Sequence, residues 1–315
     1  MQTKPLVSLI TPCYNGAKHL QPYINGILAQ MYPHVQYIFV NDGSTDETEK
    51  IILSYQKQIE AKGWEFIYIR QENKGQAAAM NAALLRVKGK YFSQIDSDDT
   101  IHPEYLEKYA SFLESHKDCK FCYAHVNFVE EDAPDTIVQT RYRKIKDDEP
   151  DYFFRDLVME QNVPPLAFYM METKAFFEVA KLPIFEGRGG QNWQILLPMA
   201  YRYKCGYMND VLATCVMRKD SHSHHSILDK EKRRDDLKIL LFSIIAKIDM
   251  SDGEKAFWYD KITIKYLPKR QPAKIKFRLF GLIPLLKIKR DTVYLFEFIP
   301  IGKIKRASEN YKTVL

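Results

Sequence analysis

Asp96, Ser97, Asp98 and Asp99 stand together as DSDD, three carboxylates within four residues. On an extended backbone Asp96 and Asp98 point the same way, two residues apart. Carboxylates that close repel one another unless a cation lies between them. A hard divalent ion, Mg2+ or Mn2+, sharing a carboxylate with phosphate oxygens removes the repulsion. The string equally suits a helix N-terminus with spare acid, so alone it leaves both readings open. A second cluster, NDGSTDE at 41–47, is turn and capping chemistry by residue type. Within it, Asp42 falls at the tip of a buried strand, where a carboxylate can accept from a base N–H. TPCYN at 11–15 adds a Pro-constrained turn and an aromatic ring able to pack on a flat base. ENKGQAAAMNAAL at 72–84 puts Gly75 at the head of a small-residue helix that can approach a ligand closely.

These clusters occupy equivalent places in a repeating pattern. Apolar runs at 6–11, 37–40, 66–69 and 91–95 each end in a polar cluster, and each is followed by a helical stretch. This is a βα repeat, and open α/β sheets bind ligands just beyond the carboxyl ends of their strands. Helices are expected at 17–31, 45–60, 76–87 and 103–117, the second capped by Ser44 or Thr45 and the fourth begun by Pro103. A fifth strand is expected at 120–130, then a loop or irregular hairpin at 132–150. Helical patterns return at 151–161, 173–180 and 191–203, while 206–219 reads as a pair of strands. Long amphipathic patterns at 227–248 and 254–266 follow.

A hydrophobic fraction of 46% and a charged fraction of 27% are those of a soluble globular protein. The five cysteines fit ordinary reduced thiols of a cytosolic compartment. Cys119 and Cys122 have zinc-like spacing, but their segment alternates like a strand and no second pair completes a site. No signal peptide is expected, and the longest apolar segments fall short of the ~20 residues that cross a bilayer.

The net charge of +6 is unevenly spread. Residues 265–315 hold thirteen Lys/Arg against three Asp/Glu, a balance of +10, which leaves −4 for residues 1–264. The same tail contains a repeat with a 16-residue offset, RLFGLIPLLKIKR at 278–290 and YLFEFIPIGKIKR at 294–306. Two units are too few for a solenoid. Either each unit is a hairpin strand packed on the body, or the aromatics sit in a membrane interface with lysines facing anionic headgroups. Nucleic acid is not expected as a partner, since no binding motif accompanies the charge.

In order and spacing, the segment from VSLITPCYN to NDGSTDET, then NKGQAAAMNAAL, then YFSQIDSDD, resembles the family 2 glycosyltransferases of the GT-A fold, over about residues 6–225. The resemblance implies an α/β Rossmann-type sheet with flanking helices, here followed by a helical and basic C-terminal extension. It divides the chain into a transferase domain at 1–226 (a nucleotide-sugar half, 1–118, and an acceptor half, 119–226), a helical extension at 227–268 and the tail at 269–315. By that likeness Thr11, Pro12, Tyr14, Asn15 and Asp42 hold the base and ribose of a nucleotide-sugar, with Lys74 and Gly75 beside them. Asp96 and Ser97 would contact the donor, and Asp96 and Asp98 would form the metal-binding pair, the ion neutralising the departing diphosphate.

The family's usual Glu-Asp before an aromatic is replaced here by Gln191 and Asn192, ahead of Trp193. An amide cannot take a proton as a carboxylate does. Three readings follow: Glu186 serves as base; base help is modest; or the chain is a non-catalytic sugar-nucleotide binder or scaffold. In RKDSHSHHS, at 218–226, Arg218 and Lys219 suit phosphate. Of the histidines there one, taken as His224, completes the metal shell, or all are solvated surface. The expected activity is inverting transfer from a UDP-sugar to a glycan or lipid-linked acceptor in bacterial surface polysaccharide synthesis. The expected location is cytoplasmic, at the inner face of the membrane. A sugar nucleotidyltransferase is the other enzyme considered, but TPCYNGAKH lacks the Gly-rich, basic loop it would need.

Overall fold

The computed structural model describes residues 4–144, 152–184, 190–218, 230–267 and four strands between 276 and 303. Strands β1 (Val7–Cys13) and β2 (Val35–Asn41) are buried along their whole lengths. That is what their unbroken apolar runs require of parallel strands covered on both faces. With β3 (Glu65–Arg70) and β4 (Tyr91–Gln94) they form a parallel set in the order β3-β2-β1-β4. The sheet continues antiparallel through β8 (Tyr169–Glu172) to β6 (Cys119–Glu130), then parallel to β9 (Lys204–Met217). A two-residue strand β5 (Thr100–Ile101) closes on β9, and β7 (Ala133–Arg141) forms a hairpin with β6.

Helices cover both faces. On one side α1 (Leu20–Leu28) and α5 (Tyr105–Ser115) pack Tyr23, Ile27, Tyr105 and Tyr109 against Leu9, Tyr37 and Phe39; α2 (Thr48–Ser54) and α3 (Gln56–Glu60) add Ile52 and Ile59. On the other side lie α4 (Gln76–Leu84), α6 (Phe153–Met159), α7 (Thr173–Val179) and α8 (Gln191–Arg202). The amphipathic stretches become α9 (Lys230–Lys247) and α10 (Asp252–Lys265), whose Leu241, Ile244, Ile245 and Ile262 join this second core. Among the described residues no helix is long and apolar enough to cross a membrane.

Several expectations are corrected. The helix expected at 45–60 is two helices, α2 and α3, meeting at Tyr55. Its N-cap is neither Ser44 nor Thr45 but Glu47, which makes no side-chain cap bond; Asp46, one residue earlier, accepts from Thr48 N at 3.0 Å through its Oδ1. Where a pair of strands was expected at 206–219, one long strand, β9, runs to Met217. The polar Asn209 and Asp210 lie in a bulge: Tyr207 pairs with Tyr123 and Val211 with His125. Strand β8 falls in a stretch, between the helices expected at 151–161 and 173–180, where no element was expected. Cys119 and Cys122 are buried free thiols.

Contacts divide the chain into two compact units, Met1–Tyr266 and Leu267–Leu315. The second contains β10 (Lys276–Leu279), β11 (Ile283–Lys289), β12 (Thr292–Leu295) and β13 (Ile299–Lys303), an antiparallel sheet in sequence order. Each repeat unit is thus a whole hairpin. The register slips at the same place in both, between Phe277 and Arg278 and, 16 residues on, between Val293 and Tyr294.

Candidate active site

The site is assembled where β1, β2 and β4 end. Ile10 O accepts from Ile95 N, so Pro12, two residues on, turns its bond-less nitrogen toward β4 beyond the point where that strand has ended. Pro12 and Cys13 therefore belong to β1, and the turn begins at Tyr14, half-exposed at 49%. Asn15 holds φ at +49° and staples two turns together: its N donates to Ser44 Oγ at 2.9 Å and its Oδ1 accepts from Thr45 N at 2.8 Å. Thr11 is fully buried, its hydroxyl bonded to that of Tyr23, so it faces the core and not the strand ends.

Asp42 is 3% exposed at the end of β2. Its Oδ1 accepts from Gln71 Nε2 at 2.7 Å and Lys74 N at 3.0 Å, and its Oδ2 from Gly75 N at 2.8 Å. It is the strut that folds 71–75 back over the strand ends, a role invisible in the turn sequence around it. Gly43 makes this possible: at φ +74° a Cβ there would meet Asn73 N at 2.6 Å. Gly75, at φ +89°, opens α4. The alanines of α4 do not face a ligand as expected. Ala77, Ala79 and Ala83 are buried against the sheet, letting the helix approach β1 and β2 closely.

The acid cluster is a turn rather than an extended run. Asp99 N donates to Asp96 O at 3.2 Å. Asp96 Oδ1 accepts from Gln76 Nε2, at the first turn of α4, at 2.7 Å and from Gln94 Nε2 at 3.1 Å. Burial, then the neighbouring Asp98, push the Asp96 carboxyl up to about 6. Asp99 is buried, accepts from Val216 N at 3.0 Å and ties the turn to β9; its carboxyl is pushed well up by burial and by Asp98. Among the described residues a cation meets the cluster at Asp98: Arg218 Nη2 lies 2.5 Å from its Oδ2, while Arg218 Nε is buried without a hydrogen-bond partner. The two residues expected to flank one diphosphate are thus in direct contact. Ser97 packs on β1, where a Cβ at Gly16 would meet Cys13 Sγ at 2.5 Å and Ser97 Oγ at 3.4 Å.

Gln191 and Asn192 open α8 after Gly190. Gln191 is buried, and Asn192 Oδ1 and Trp193 Nε1 are buried without hydrogen-bond partners. The chain reaching them is anchored on α4, since Asn81 Nδ2 donates to Ile184 O at 3.0 Å and its Oδ1 accepts from Ile184 N at 2.9 Å. Glu186, Lys219 and His224 lie outside the described residues. Residues not foreseen include Gln71, Gln76, Gln94, Asn81 and His19. Burial, then Arg218, hold His19 below its usual range, with Glu131 and Asp98 opposing. Amides at strand and helix ends leave no spacing signature, which is why they escaped notice.

Residues 8–212 match the model of the family "Glycosyl transferase family 2". The chain is a family 2 glycosyltransferase. It is 30% identical over 214 residues to an uncharacterized glycosyltransferase of Rickettsia felis, covering 67% of this chain and 30% of that one. It is 37% identical over 130 residues to a putative teichuronic acid biosynthesis glycosyltransferase of Bacillus subtilis, TuaG, covering 41% of this chain and 50% of that one. The chain therefore spans only about a third to a half of these relatives. Among solved structures, residues 1–349 of S. aureus TarS with UDP-GlcNAc superpose with a TM-score of 0.59 at 18% identity, over 83% of this chain and 72% of that one. The GT-A fold of this glycosyltransferase follows from that likeness.

Proposed function

We propose that this glycosyltransferase moves one sugar, with inversion, from a UDP-sugar to a glycan or lipid-linked acceptor in bacterial surface polysaccharide synthesis, using Mn2+ or Mg2+. The observation that carries the reading is the turn after β4 that brings Asp96 and Asp98 together, with Arg218 Nη2 2.5 Å from Asp98 Oδ2. Support comes also from TarS, solved with UDP-GlcNAc, and from the teichuronic acid relative.

Both acids are hard oxygen donors, the set that Mn2+ and Mg2+ prefer, and a cation relieves the repulsion between them. Among the described residues no group of three or more protein ligands gathers, so phosphate oxygens and water would complete the shell. When bound, the ion would supply positive charge to the departing diphosphate. Arg218 would exchange Asp98 for a phosphate oxygen, its planar fork suiting either partner. Tyr14 would stack on the base. Asp42 has three of its roughly four acceptor sites engaged, leaving one for the base or ribose. Asn192 would orient the acceptor hydroxyl, not deprotonate it; Gln191, buried beneath it, would fix the start of α8. Among the readings for the base, Glu186 remains the candidate to substitute first. We place the protein at the cytoplasmic membrane face, with the basic tail meeting anionic lipid.

Gln191 and Asn192 in place of carboxylates favour one other reading, a sugar-nucleotide binder without turnover. Thermal shift with a panel of nucleotide-sugars, with and without Mn2+, tests the proposal. Stabilisation by a UDP-sugar should require Mn2+ and vanish in Asp98→Ala; stabilisation that ignores both removes the metal from the reading. Donor hydrolysis by the wild-type chain separates enzyme from binder.

A further inference from the structure

Two hydrogen bonds to Asp96 fall on the same oxygen. Its Oδ1 accepts from Gln76 Nε2 at 2.7 Å and from Gln94 Nε2 at 3.1 Å. A carboxylate oxygen offers about two lone-pair sites, so those of Oδ1 are taken. Two N–H dipoles aimed at that oxygen also repel a cation from it. A cation or a donor hydroxyl that uses Asp96 must therefore come to Oδ2.

The two amides are held differently. Gln76 is half-buried in the first turn of α4. Gln94, the last residue of β4, is fully buried, and both ends of its amide are engaged. Its Nε2 donates to Asp96, and its Oε1 accepts from Tyr169 OH at 3.0 Å. Turning the amide over would set its oxygen against the carboxylate and its N–H groups against the phenol proton. Tyr169 thus fixes which end faces Asp96.

Tyr169 is itself firmly held. It is the first residue of β8 and fully buried, with the rings of Phe92 and Tyr123 edge-on to its own at 6.5 Å and 6.3 Å. Its carbonyl accepts from Ser93 Oγ at 2.6 Å. The residue before it, Phe168, is buried in left-handed backbone at φ +59°, a conformation that strains a bulky side chain. Tyr109 OH donates to Phe168 O at 2.7 Å and accepts from Ala124 N at 2.9 Å, which holds that carbonyl in place. Such strain persists where the surroundings overrule it. Here it sets the point from which β8 starts and Tyr169 reaches Gln94.

We infer that Tyr169 and Gln94 are positioning residues of the donor site, holding Oδ1 of Asp96 so that Oδ2 is the oxygen that meets the donor's cation or ribose hydroxyl. The inference rests on the reading of this cluster as the donor site. Tyr169 acts through Gln94, and Gln94 through Asp96. Calorimetry of UDP binding to the full chain, with Mn2+ and with EDTA, tests it. Tyr169→Phe keeps the ring and Gln94→Met keeps the length; each should weaken UDP binding about fivefold, the scale of one hydrogen bond. Because the two act in series, Tyr169→Phe should add nothing in the Gln94→Met background, whereas independent losses would multiply. Gln76→Leu, a variant outside the core, should weaken binding as well. Tyr37→Phe removes another buried phenol bond, to Tyr23, and should lower the unfolding midpoint yet leave UDP affinity unchanged. A loss confined to the Mn2+ arm supports the inference with the cation on Oδ2; a loss in both arms supports it with a ribose hydroxyl there. Unchanged affinity in the Tyr169, Gln94 and Gln76 variants, a multiplied loss in the double variant, or an equal loss in Tyr37→Phe overturns it. So does a structure of the UDP complex with Oδ1 on the ligand. A wild-type chain that binds no UDP in either arm overturns the donor-site reading, and the inference with it.

Discussion

Asp42 and Arg218 show how much a single side chain can be asked to do at these strand ends. Asp42 satisfies two backbone N–H groups and one amide. Asp42→Ala would leave them without that acceptor, and a buried unmet donor costs about 1–3 kcal/mol. Urea denaturation should therefore report at least about 2 kcal/mol lost, together with weaker donor binding. Arg218 makes a different kind of contribution, because its charge has two possible partners. If it moves from Asp98 to a phosphate oxygen during transfer, Arg218→Ala should lower turnover about a hundredfold, the scale of losing one stabilising donor. Lysine at 218 should restore part of it. Unchanged turnover in Arg218→Ala would place the residue outside the reaction. The positions of Asp42, Asp96 and Asp98 were legible from sequence because strand ends are where such residues gather. Their partners were not, since Gln71, Gln76 and Arg218 return to them only through the fold.

At the scale of elements, the βα repeat was legible because fully buried parallel strands must be continuously apolar. Strand β9 was misread because a bulge can absorb Asn209 and Asp210 without breaking the strand, and β8 because four residues carry no period. The tight return of 71–75 over β2 depends on Gly43. A side chain at φ +74° costs about 1–3 kcal/mol before any clash, and here the Cβ would also strike Asn73 N. Gly43→Ala should therefore lower the midpoint of thermal unfolding more than Gly63→Ala, where φ is +77° but nothing lies within 4 Å. A second junction is held by charge. Glu114, near the end of α5, accepts from Lys90, Tyr91 and Lys117, which fastens the helix to the start of β4. Burial raises its carboxyl, but those three bonds outweigh it and hold the group down at about 2. The folded value is below the unfolded one, so the contribution is present above about 4.5 and is lost as pH falls toward 2. The Tm difference between wild type and Glu114→Gln should be constant above pH 5 and shrink to nothing near pH 2. A difference that persists at pH 2 would assign the effect to packing.

For the whole molecule, the remaining question is what a slightly acidic catalytic unit gains from a basic second unit. Sequence revealed the repeat, and the structure turns each copy into a hairpin with the same register slip. Pairing fixes which positions share a face. Lys276 is opposite Lys287, Thr292 lies between Lys289 and Lys303, and Lys287 and Lys289 are two residues apart on one strand. All four lysine positions therefore belong to one face, and Phe277, Leu286, Ile288, Val293 and Leu295 belong to the other. A face of that kind meets an anionic surface through charge, at about 1 kcal/mol per lysine near the headgroups. The full chain should therefore co-sediment with vesicles containing phosphatidylglycerol and stay in solution with phosphatidylcholine alone. Charge reversal at Lys287, Lys289 and Lys303 should abolish the co-sedimentation, as should raising the salt well above physiological strength, because the Debye length falls to about 3 Å at 1 M. Donor hydrolysis in solution should survive both changes. Binding that resists salt and charge reversal would mean that the apolar face, not the lysines, meets the membrane. No binding to either vesicle would remove the membrane from the function of this tail.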